Sequence, residues 1–350
     1  MKNATSVFLL LLFVPLVACA QTPNLSNELD AYVDEVMTAY GMPGVAFAVI
    51  KDGEVIHKKN YGLANLEHQV PVTENSIFRV YSLTKLVVIS GLFQLVEQGK
   101  LSLDDQITDY VDGLPATWHH LQIKHLITHS SGLPDMAPIP VFQELSEDAA
   151  KARVFAEPLR AEAGNVYDYN QTNFWLLKEI IERVTTMPMD QFLLENQFST
   201  APDTAFFSVD SRDIIRNRVT AYFPFAKGYT TIEHPYLQGD YAYAMNGLNI
   251  TLNAFIHWSQ QLRNDTIMQP ATRAKMWEPF PYAASDKLFT YGWDMRPVQG
   301  HNSYGFSGSL VTAYRIFPDD DLSIIFLANG MRDFFNIEDI MNTIAMRVLE

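Results

Sequence analysis

The segment that most constrains this chain is Ser82-Leu83-Thr84-Lys85, which leads directly into the apolar run 86–93. A continuous apolar run of this kind predicts a helix that is buried on all sides. A serine and a lysine three residues apart share one face of such a helix. If the helix opens at Ser82, unpaired N–H groups and the positive end of the helix dipole lie beside its hydroxyl and favour a developing oxyanion. The spacing therefore indicates a candidate nucleophile, Ser82, with a candidate base, Lys85.

Composition describes a globular chain with a substantial core. Of its 350 residues, 48% are hydrophobic and 19% are charged, which is ordinary for a soluble domain. After the N-terminus no stretch reaches the about 18 apolar residues expected of a spanning helix. The formal net charge of −15 argues against a nucleic-acid partner, because nucleic-acid recognition needs a basic surface. That charge also provides no general attraction for anionic substrates or lipids.

The N-terminus has the pattern of an export signal. Lys2 supplies a short positive region, residues 7–17 form an apolar stretch, and small residues follow at 18–20. The pattern predicts a signal peptide over 1–20 and a mature domain over 21–350. We therefore expect the mature protein in the periplasm or cell envelope.

Residues 16–19, Leu-Val-Ala-Cys, also resemble a bacterial lipobox, in which Cys19 would be lipidated and become the first mature residue. The signal peptide would then end at residue 18. Cys19 is the only cysteine of the chain, so the mature domain has no disulfide and no thiol nucleophile. A lipid anchor at Cys19 is the only membrane attachment that the sequence predicts, and ordinary cleavage before residue 21 is the alternative.

Near the N-terminus the sequence predicts a helix followed by a hairpin. Apolar residues recur with helical spacing over 29–40. Two runs with strand character, 45–50 and 55–57, then flank Asp52-Gly53, a pair that tolerates the positive φ angles of a tight turn.

The C-terminal end has a similar organisation. Runs 310–317 and 322–327 predict a second hairpin, and a helix is expected over about 337–349. Between the two ends, residues 103–284 are rich in loops and helical patterns and contain few strand signals.

These elements predict an α/β (α+β) fold with two lobes in one domain. Residues 21–103 and 285–350 would form an antiparallel sheet flanked by helices. Residues 104–284 would form a mainly helical lobe.

Three further segments resemble motifs of the serine β-lactamase-related family, which includes class C β-lactamases, low-molecular-weight penicillin-binding proteins, D-amino-acid peptidases and esterases. Residues 125–134, HLITHSSGLP, resemble its LLTHTSGLP signature. Residues 163–177, AGNVYDYNQTNFWLL, resemble its PGxxFxYSNxxYxLL segment. Residues 305–309, GFSGS, occupy the place of its third motif, KTG or HxG, just ahead of a core strand. Together with the S-x-x-K at Ser82, the resemblance extends from about residue 28 to the C-terminus in the family's order and implies the two-lobed β-lactamase/transpeptidase-like fold.

The resemblance implies a role for each matching residue. Ser82 would be the acylated nucleophile, Lys85 would share its proton, and Tyr169 would take that proton and return one to the leaving group. A tyrosine needs a nearby cation for this work, and Lys85 is the candidate. The backbone N–H groups of Ser82 and Ser309 would form the oxyanion hole, in which one donor contributes about 3–4 kcal/mol.

Two of the implied substrate-binding residues depart from the family pattern. Gln171 stands where the family has asparagine, so the amide is kept on a side chain longer by about 1.5 Å. Phe306, ahead of Ser307 and Gly308, stands where the family has lysine or histidine. In β-lactam-binding members that cation helps to hold the substrate carboxylate, which a phenylalanine cannot do.

Four histidines lie close together in the sequence, at His119, His120, His125 and His129. The last two have the i, i+4 spacing that can place two imidazoles on one metal ion. The glutamate of H-E-x-x-H is missing, however, and His125 and His129 are accounted for by the family signature. We therefore expect neither a metal nor an organic cofactor. The absence of a G-x-S-x-G motif also disfavours an α/β-hydrolase.

The sequence thus predicts an exported serine hydrolase that forms an acyl-enzyme on Ser82. Its expected partners are small-molecule esters or small peptides, D-amino-acid amides and cell-wall-derived compounds included. A β-lactamase or D-alanyl-D-alanine carboxypeptidase is the alternative within enzymes. A catalytically silent binding protein on the same fold is the alternative outside them.

Overall fold

The computed structural model describes residues 22–137, 146–199, 204–226, 228–231 and 239–350. The predicted signal peptide and Cys19 lie outside these residues. The helices are α1 Thr22–Tyr40, α2 Thr84–Glu97, α3 Ile123–Ile127, α4 Glu147–Ala156, α5 Thr172–Thr185, α6 Met189–Gln197, α7 Tyr243–Asn246, α8 Leu252–Arg263, α9 Pro270–Met276 and α10 Ile337–Leu349. The strands are β1 Gly44–Lys51, β2 Glu54–Asn65, β3 Val70–Pro71, β4 Ile77–Arg79, β5 Ala205–Phe207, β6 Tyr222–Ala226, β7 Gly228–Thr231, β8 Leu248–Thr251, β9 Asp294–Val298, β10 His301–Gly308, β11 Thr312–Phe317 and β12 Leu322–Ala328.

A seven-stranded antiparallel sheet in the order β3-β2-β1-β12-β11-β10-β9 organises the molecule. Both predicted hairpins are present, and the first turns at Asp52 and Gly53 with φ angles of +52° and +81°. The central pair is β1 with β12, in which Phe47 lies opposite Phe326. Both strands are almost entirely buried, which explains their continuous apolar sequences.

Helices cover both faces of this sheet. α1 and α10 pack together on one face, where α10 contacts β11 and β12. α8 lies on the other face, against β1 and β12. The predicted antiparallel sheet with flanking helices is therefore confirmed, and α10 has the predicted bounds. None of the helices in the described residues is long and apolar enough to cross a membrane.

The packing departs from the predicted lobes at two helices. α8 belongs by sequence to the predicted helical lobe over 104–284 but packs on the large sheet. α2 belongs by sequence to the other lobe but packs against α6 and α7. One continuous apolar core joins these helices to the sheet, so chain order alone does not assign each helix to its layer.

The third motif lies just ahead of the core strand β11, as predicted. Its residues 305–308 also form the end of an additional strand, β10, which pairs with β9 on one side and β11 on the other. The sequence did not predict β10 as a strand because Gly305 and Gly308 have low strand propensity. Gly305 is required there, since a Cβ would lie 2.0 Å from the Tyr314 carbonyl oxygen.

Candidate active site

Ser82 lies in a short 3-10 turn, Tyr81–Leu83, that leads directly into α2 at Thr84. It therefore precedes the regular helix rather than opening it as predicted. The consequence for chemistry is small, because N–H groups at the start of a helical segment lack intrahelical acceptors in either geometry.

This nucleophile turn is held in a strained conformation. Tyr81 has a φ angle of +50°, a region that costs a non-glycine residue about 1–3 kcal/mol unless its surroundings enforce it. Strand β8 supplies that constraint: the Val80 N–H donates to the Leu248 carbonyl at 3.0 Å, and the Leu248 N–H donates to Thr84 Oγ1 at 3.0 Å. The backbone is thus fixed on both sides of Ser82.

The structure brings Ser82, Lys85 and Tyr169 into one hydrogen-bonded group. Ser82 Oγ lies 2.8 Å from the Tyr169 hydroxyl and 3.4 Å from Lys85 Nζ. The ammonium also lies 5.1 Å from the centre of the Tyr169 ring. Lys85 is completely buried, so its charge acts with little screening on the two hydroxyl groups.

Two further acceptors hold the Lys85 ammonium beside Ser82. Lys85 Nζ donates to Gln171 Oε1 at 3.0 Å and to the Met245 carbonyl oxygen at 2.6 Å. The Gln171 side chain therefore reaches the lysine despite its extra methylene. The Met245 carbonyl was not predicted, because a backbone oxygen contributed from α7 leaves no signal in the sequence.

His129 supports the ring of Tyr169. The two ring centres are 4.5 Å apart, and His129 Nδ1 accepts hydrogen bonds from the Asn173 side chain at 3.1 Å and the Asn170 N–H at 3.4 Å. Burial, with a contribution from the charge of Lys85, lowers the pKa of His129 well below its usual value. His129 is therefore a neutral imidazole in the wall of the site. Its contact with Tyr169 explains why the 125–134 motif has a histidine at this position.

Strand β10 is tied to the backbone just before Ser82. Thr312 Oγ1 lies 3.1 Å from both the Val80 and Gly308 carbonyl oxygens. A Cβ on Gly308 would lie only 2.2 Å from the Val80 carbonyl oxygen. Because Gly308 has no side chain, the backbone leading into Ser309 can approach the nucleophile turn. An oxyanion hole formed by the Ser82 and Ser309 N–H groups requires this close approach.

We expect Gly308→Ala to separate β10 from this turn. The substitution should lower kcat/KM for an ester substrate at least tenfold and the free energy of unfolding by about 1–3 kcal/mol, since the clash is with backbone. Gly239→Ala is the matched control, because its Cβ would meet nothing closer than Tyr241 Cδ1 at 3.4 Å. Kinetics and thermal melts measure both effects, and equal behaviour of the two variants would contradict the argument.

Phe306 fills the position of the family's cation with a ring that is 9% exposed. Its ring centre lies 6.0 Å from that of Tyr169 and 6.1 Å from that of Phe289. It therefore packs beside the candidate catalytic tyrosine. The neighbouring Ser307 is half-buried and Gly308 is buried.

The histidine cluster has structural partners. His119 Nε2 contacts the Leu114 carbonyl oxygen at 3.1 Å, and His125 Nδ1 accepts from the Gln122 N–H at 3.1 Å. Burial lowers the pKa of His125 to about 4. In the described part of the chain, no group of three or more His, Cys, Asp or Glu side chains could hold a metal ion.

Comparison with known proteins identifies the family of this chain. Residues 29–344 match the family model described as Beta-lactamase. The chain belongs to the Beta-lactamase family. The match includes every residue of the candidate site, so the predicted family relationship and the β-lactamase-like fold are confirmed.

Individual relatives are more distant. A protein of Escherichia coli O157:H7 assigned as a D-alanyl-D-alanine carboxypeptidase is 28% identical over 191 residues, 49% of this chain and 44% of its own length. Esterase EstB of Burkholderia gladioli is 32% identical over 118 residues, 31% of this chain and 29% of its own length. The chain thus matches less than half the length of these relatives. The octameric penicillin-binding protein homologue of Pyrococcus abyssi has the same fold, with a TM-score of 0.77, 22% identity and coverage of 93% of this chain and 77% of that one.

Proposed function

We propose that this member of the Beta-lactamase family is an exported serine hydrolase that forms an acyl-enzyme on Ser82 and hydrolyses esters or small peptides, D-amino-acid amides included. The observation that carries the proposal is the contact of Ser82 Oγ with the Tyr169 hydroxyl at 2.8 Å and with Lys85 Nζ at 3.4 Å. A nucleophile that touches both partners of its proton transfer is the arrangement that covalent catalysis requires.

The geometry supports a two-step reaction. Ser82 Oγ forms a bond to the substrate carbonyl carbon while its proton passes to the Lys85–Tyr169 pair, which reacts in the form that has one proton fewer than an ammonium and a phenol together. The Ser82 and Ser309 N–H groups stabilise the oxyanion, and the pair returns the proton to the departing alcohol or amine. Water then attacks the acyl-enzyme with the same proton transfers, which regenerates Ser82.

A carboxylate-free substrate suits this site better than a β-lactam. Penicillins and cephalosporins carry a carboxylate close to the scissile carbonyl, and Phe306 offers it an apolar ring. The Burkholderia relative, an esterase, falls within the proposed range of substrates, whereas the E. coli relative, assigned as a carboxypeptidase, corresponds to the alternative. The hydrogen bonds among Ser82, Lys85 and Tyr169 argue against a silent binding protein.

A covalent label tests the proposal directly. Purified full-length chain is treated with a fluorophosphonate probe, and the modified serine is located by peptide mass spectrometry. We expect a label on Ser82, together with turnover of p-nitrophenyl butyrate that the probe abolishes. An unlabelled Ser82 would favour the silent binding protein.

We expect weak or absent β-lactamase activity beside measurable esterase activity. A cation at position 306 would bind the β-lactam carboxylate with about 1.5–3 kcal/mol, so Phe306→His should raise kcat/KM for nitrocefin about ten- to a hundredfold relative to p-nitrophenyl butyrate. Phe306→Lys should act in the same direction with a larger loss of stability, because the position is buried among aromatic rings. Efficient nitrocefin hydrolysis by the wild type would show that another residue binds the carboxylate.

We also expect the mature protein to be membrane-associated through Cys19. Each buried methylene of an acyl chain contributes about 0.8 kcal/mol, so two or more chains anchor a protein stably. Fractionation of cells that express the full-length chain should place the wild type in the membrane pellet and Cys19→Ala in the soluble fraction. Equal solubility of the two would leave only the ordinary signal peptide.

A further inference from the structure

A serine–histidine pair outside the candidate active site connects α1 to β2. Ser26 Oγ lies 3.0 Å from His57 Nδ1, and the His57 ring is 5% exposed. Its other nitrogen, Nε2, lies 3.0 Å from the Tyr61 hydroxyl. These residues take no part in the chemistry proposed for Ser82.

The hydrogen bonds around Tyr61 determine where the protons lie. The Tyr61 hydroxyl donates its single proton to Asp30 Oδ1 at 2.6 Å, so its oxygen can only accept from His57. His57 Nε2 must then carry a proton, and His57 Nδ1 presents a lone pair to the Ser26 hydroxyl. Ser26 therefore donates to an unprotonated imidazole nitrogen, the orientation that general-base activation of a serine requires.

Asp30 completes the arrangement by stabilising charge on the imidazole. Asp30 Oδ1 lies 3.5 Å from His57 Nε2, and Asp30 Oδ2 pairs with Lys59 Nζ at 2.6 Å. Burial opposes ionisation of Asp30, but hydrogen bonds from Lys59 and Tyr61 outweigh it and lower the pKa of the carboxyl. Burial, together with the charge of Lys59, lowers the pKa of His57 against the opposing charge of Asp30, so the imidazole is uncharged at neutral pH.

The pair opens onto a cavity of about 510 Å³, lined by Ser26, Val55, Ile56, His57, Lys58, Lys59, Asn253 and Ile256. Val55 is 39% exposed, and with the two isoleucines it offers an apolar wall. The Lys58 ammonium, 3.2 Å from Asn253 Oδ1, supplies a positive charge. A short apolar acyl group with a developing oxyanion matches this lining.

We propose that Ser26 is a second activated serine, which accepts the acyl group of small activated esters. Ser26 Oγ forms a bond to the ester carbonyl carbon, and the bond from that carbon to the leaving oxygen breaks. The Ser26 proton moves to His57 Nδ1 and from there to the departing phenolate or alkoxide. His57 acts as the base, while Tyr61 and Asp30 are positioning residues. This site is independent of the proposed function at Ser82.

The test uses full-length Ser82→Ala, in which the proposed nucleophile is removed. The protein is incubated with a fluorophosphonate probe and, separately, with p-nitrophenyl butyrate, and modified serines are quantified over time by peptide mass spectrometry. We expect Ser26 to be labelled at least tenfold faster than Ser102, an exposed serine whose side chain accepts from the Asp104 N–H at 3.2 Å. Adding His57→Gln should slow the labelling of Ser26 at least tenfold.

Tyr61→Phe is the second variant, because it keeps the packed ring and removes the oxygen that fixes the His57 tautomer. It should slow Ser26 labelling several-fold while the labelling of Ser102 is unchanged. Labelling of Ser26 no faster than that of Ser102, or a rate that neither His57→Gln nor Tyr61→Phe lowers, would overturn the proposal. Because Ser82 is absent throughout, failure here is distinct from failure of the hydrolase proposal, which the wild-type label on Ser82 decides.

Discussion

Ser82→Ala should lower kcat/KM for p-nitrophenyl butyrate on the order of a million-fold, as loss of a serine nucleophile does in other hydrolases. The substitution removes Ser82 Oγ, the atom of the nucleophile turn that contacts both Lys85 and Tyr169. The fold should survive, because the constraint on this turn comes from backbone and from Thr84. Steady-state kinetics on freshly purified protein measure the loss.

Ser90→Ala is the matched control for that experiment. Ser90 is a buried serine on α2, the helix that follows Ser82, and its hydroxyl donates to the Leu86 carbonyl at 2.8 Å. We expect it to retain activity within tenfold of the wild type. Substantial steady-state turnover by Ser82→Ala, beyond a single acylation, or an equal loss in both variants, would remove Ser82 from the catalytic role.

Lys85→Ala and Tyr169→Phe should each cost about 10²–10⁴-fold in kcat/KM, the range for a lost proton-transfer group. The double variant should cost little more than the worse of the two. Lys85 Nζ and the Tyr169 hydroxyl both contact Ser82 Oγ, and Lys85 Nζ lies 5.1 Å from the centre of the Tyr169 ring. Each residue therefore depends on the other for proton transfer. A double-mutant cycle measures the interaction, and losses that add in kcal/mol would show independent roles.

Lys85→Met controls for packing in that cycle. Methionine keeps an unbranched apolar chain in the buried position, whereas alanine leaves a cavity. Both lysine variants leave Gln171 Oε1 and the Met245 carbonyl without their donor. If Lys85→Met melts near the wild-type temperature and is as inactive as Lys85→Ala, the loss is chemical rather than structural.

The sequence predicted the regular elements best where local chemistry decides them. The turn at Asp52-Gly53 and the two buried strands of the C-terminal hairpin carry strong, short-range signals, and α10 has a clear apolar face. β10 was missed because Gly305 and Gly308 are selected by close backbone approach rather than by strand propensity. α8 lies by chain position within the predicted helical lobe but packs on the large sheet, an arrangement that tertiary packing decides and local sequence does not.

In the site, the sequence identified the residues but not the contacts that hold them. Motif order identified three candidate catalytic residues, Ser82, Lys85 and Tyr169, and the structure brings them together. Gln171 departs from the family pattern in sequence, yet its Oε1 lies 3.0 Å from Lys85 Nζ. Whether an extra methylene prevents this contact depends on the backbone positions of the two residues, which the sequence does not give. The strain at Tyr81 and the support from His129 depend on three-dimensional contacts that a single sequence does not record.

The pairing of β1 with β12 has a consequence for how the chain is made. It joins residues from opposite ends of the sequence, and the Gly44 N–H donates to Asn329 Oδ1, a residue 285 positions further along the chain. Such non-local contacts form slowly, because a long loop must close before the two strands can pair. A growing chain therefore cannot complete its central sheet until β12 has left the ribosome. A protein built in this way has an incomplete central sheet for most of its synthesis, and an incompletely folded polypeptide is the form that can be threaded through a narrow translocation channel.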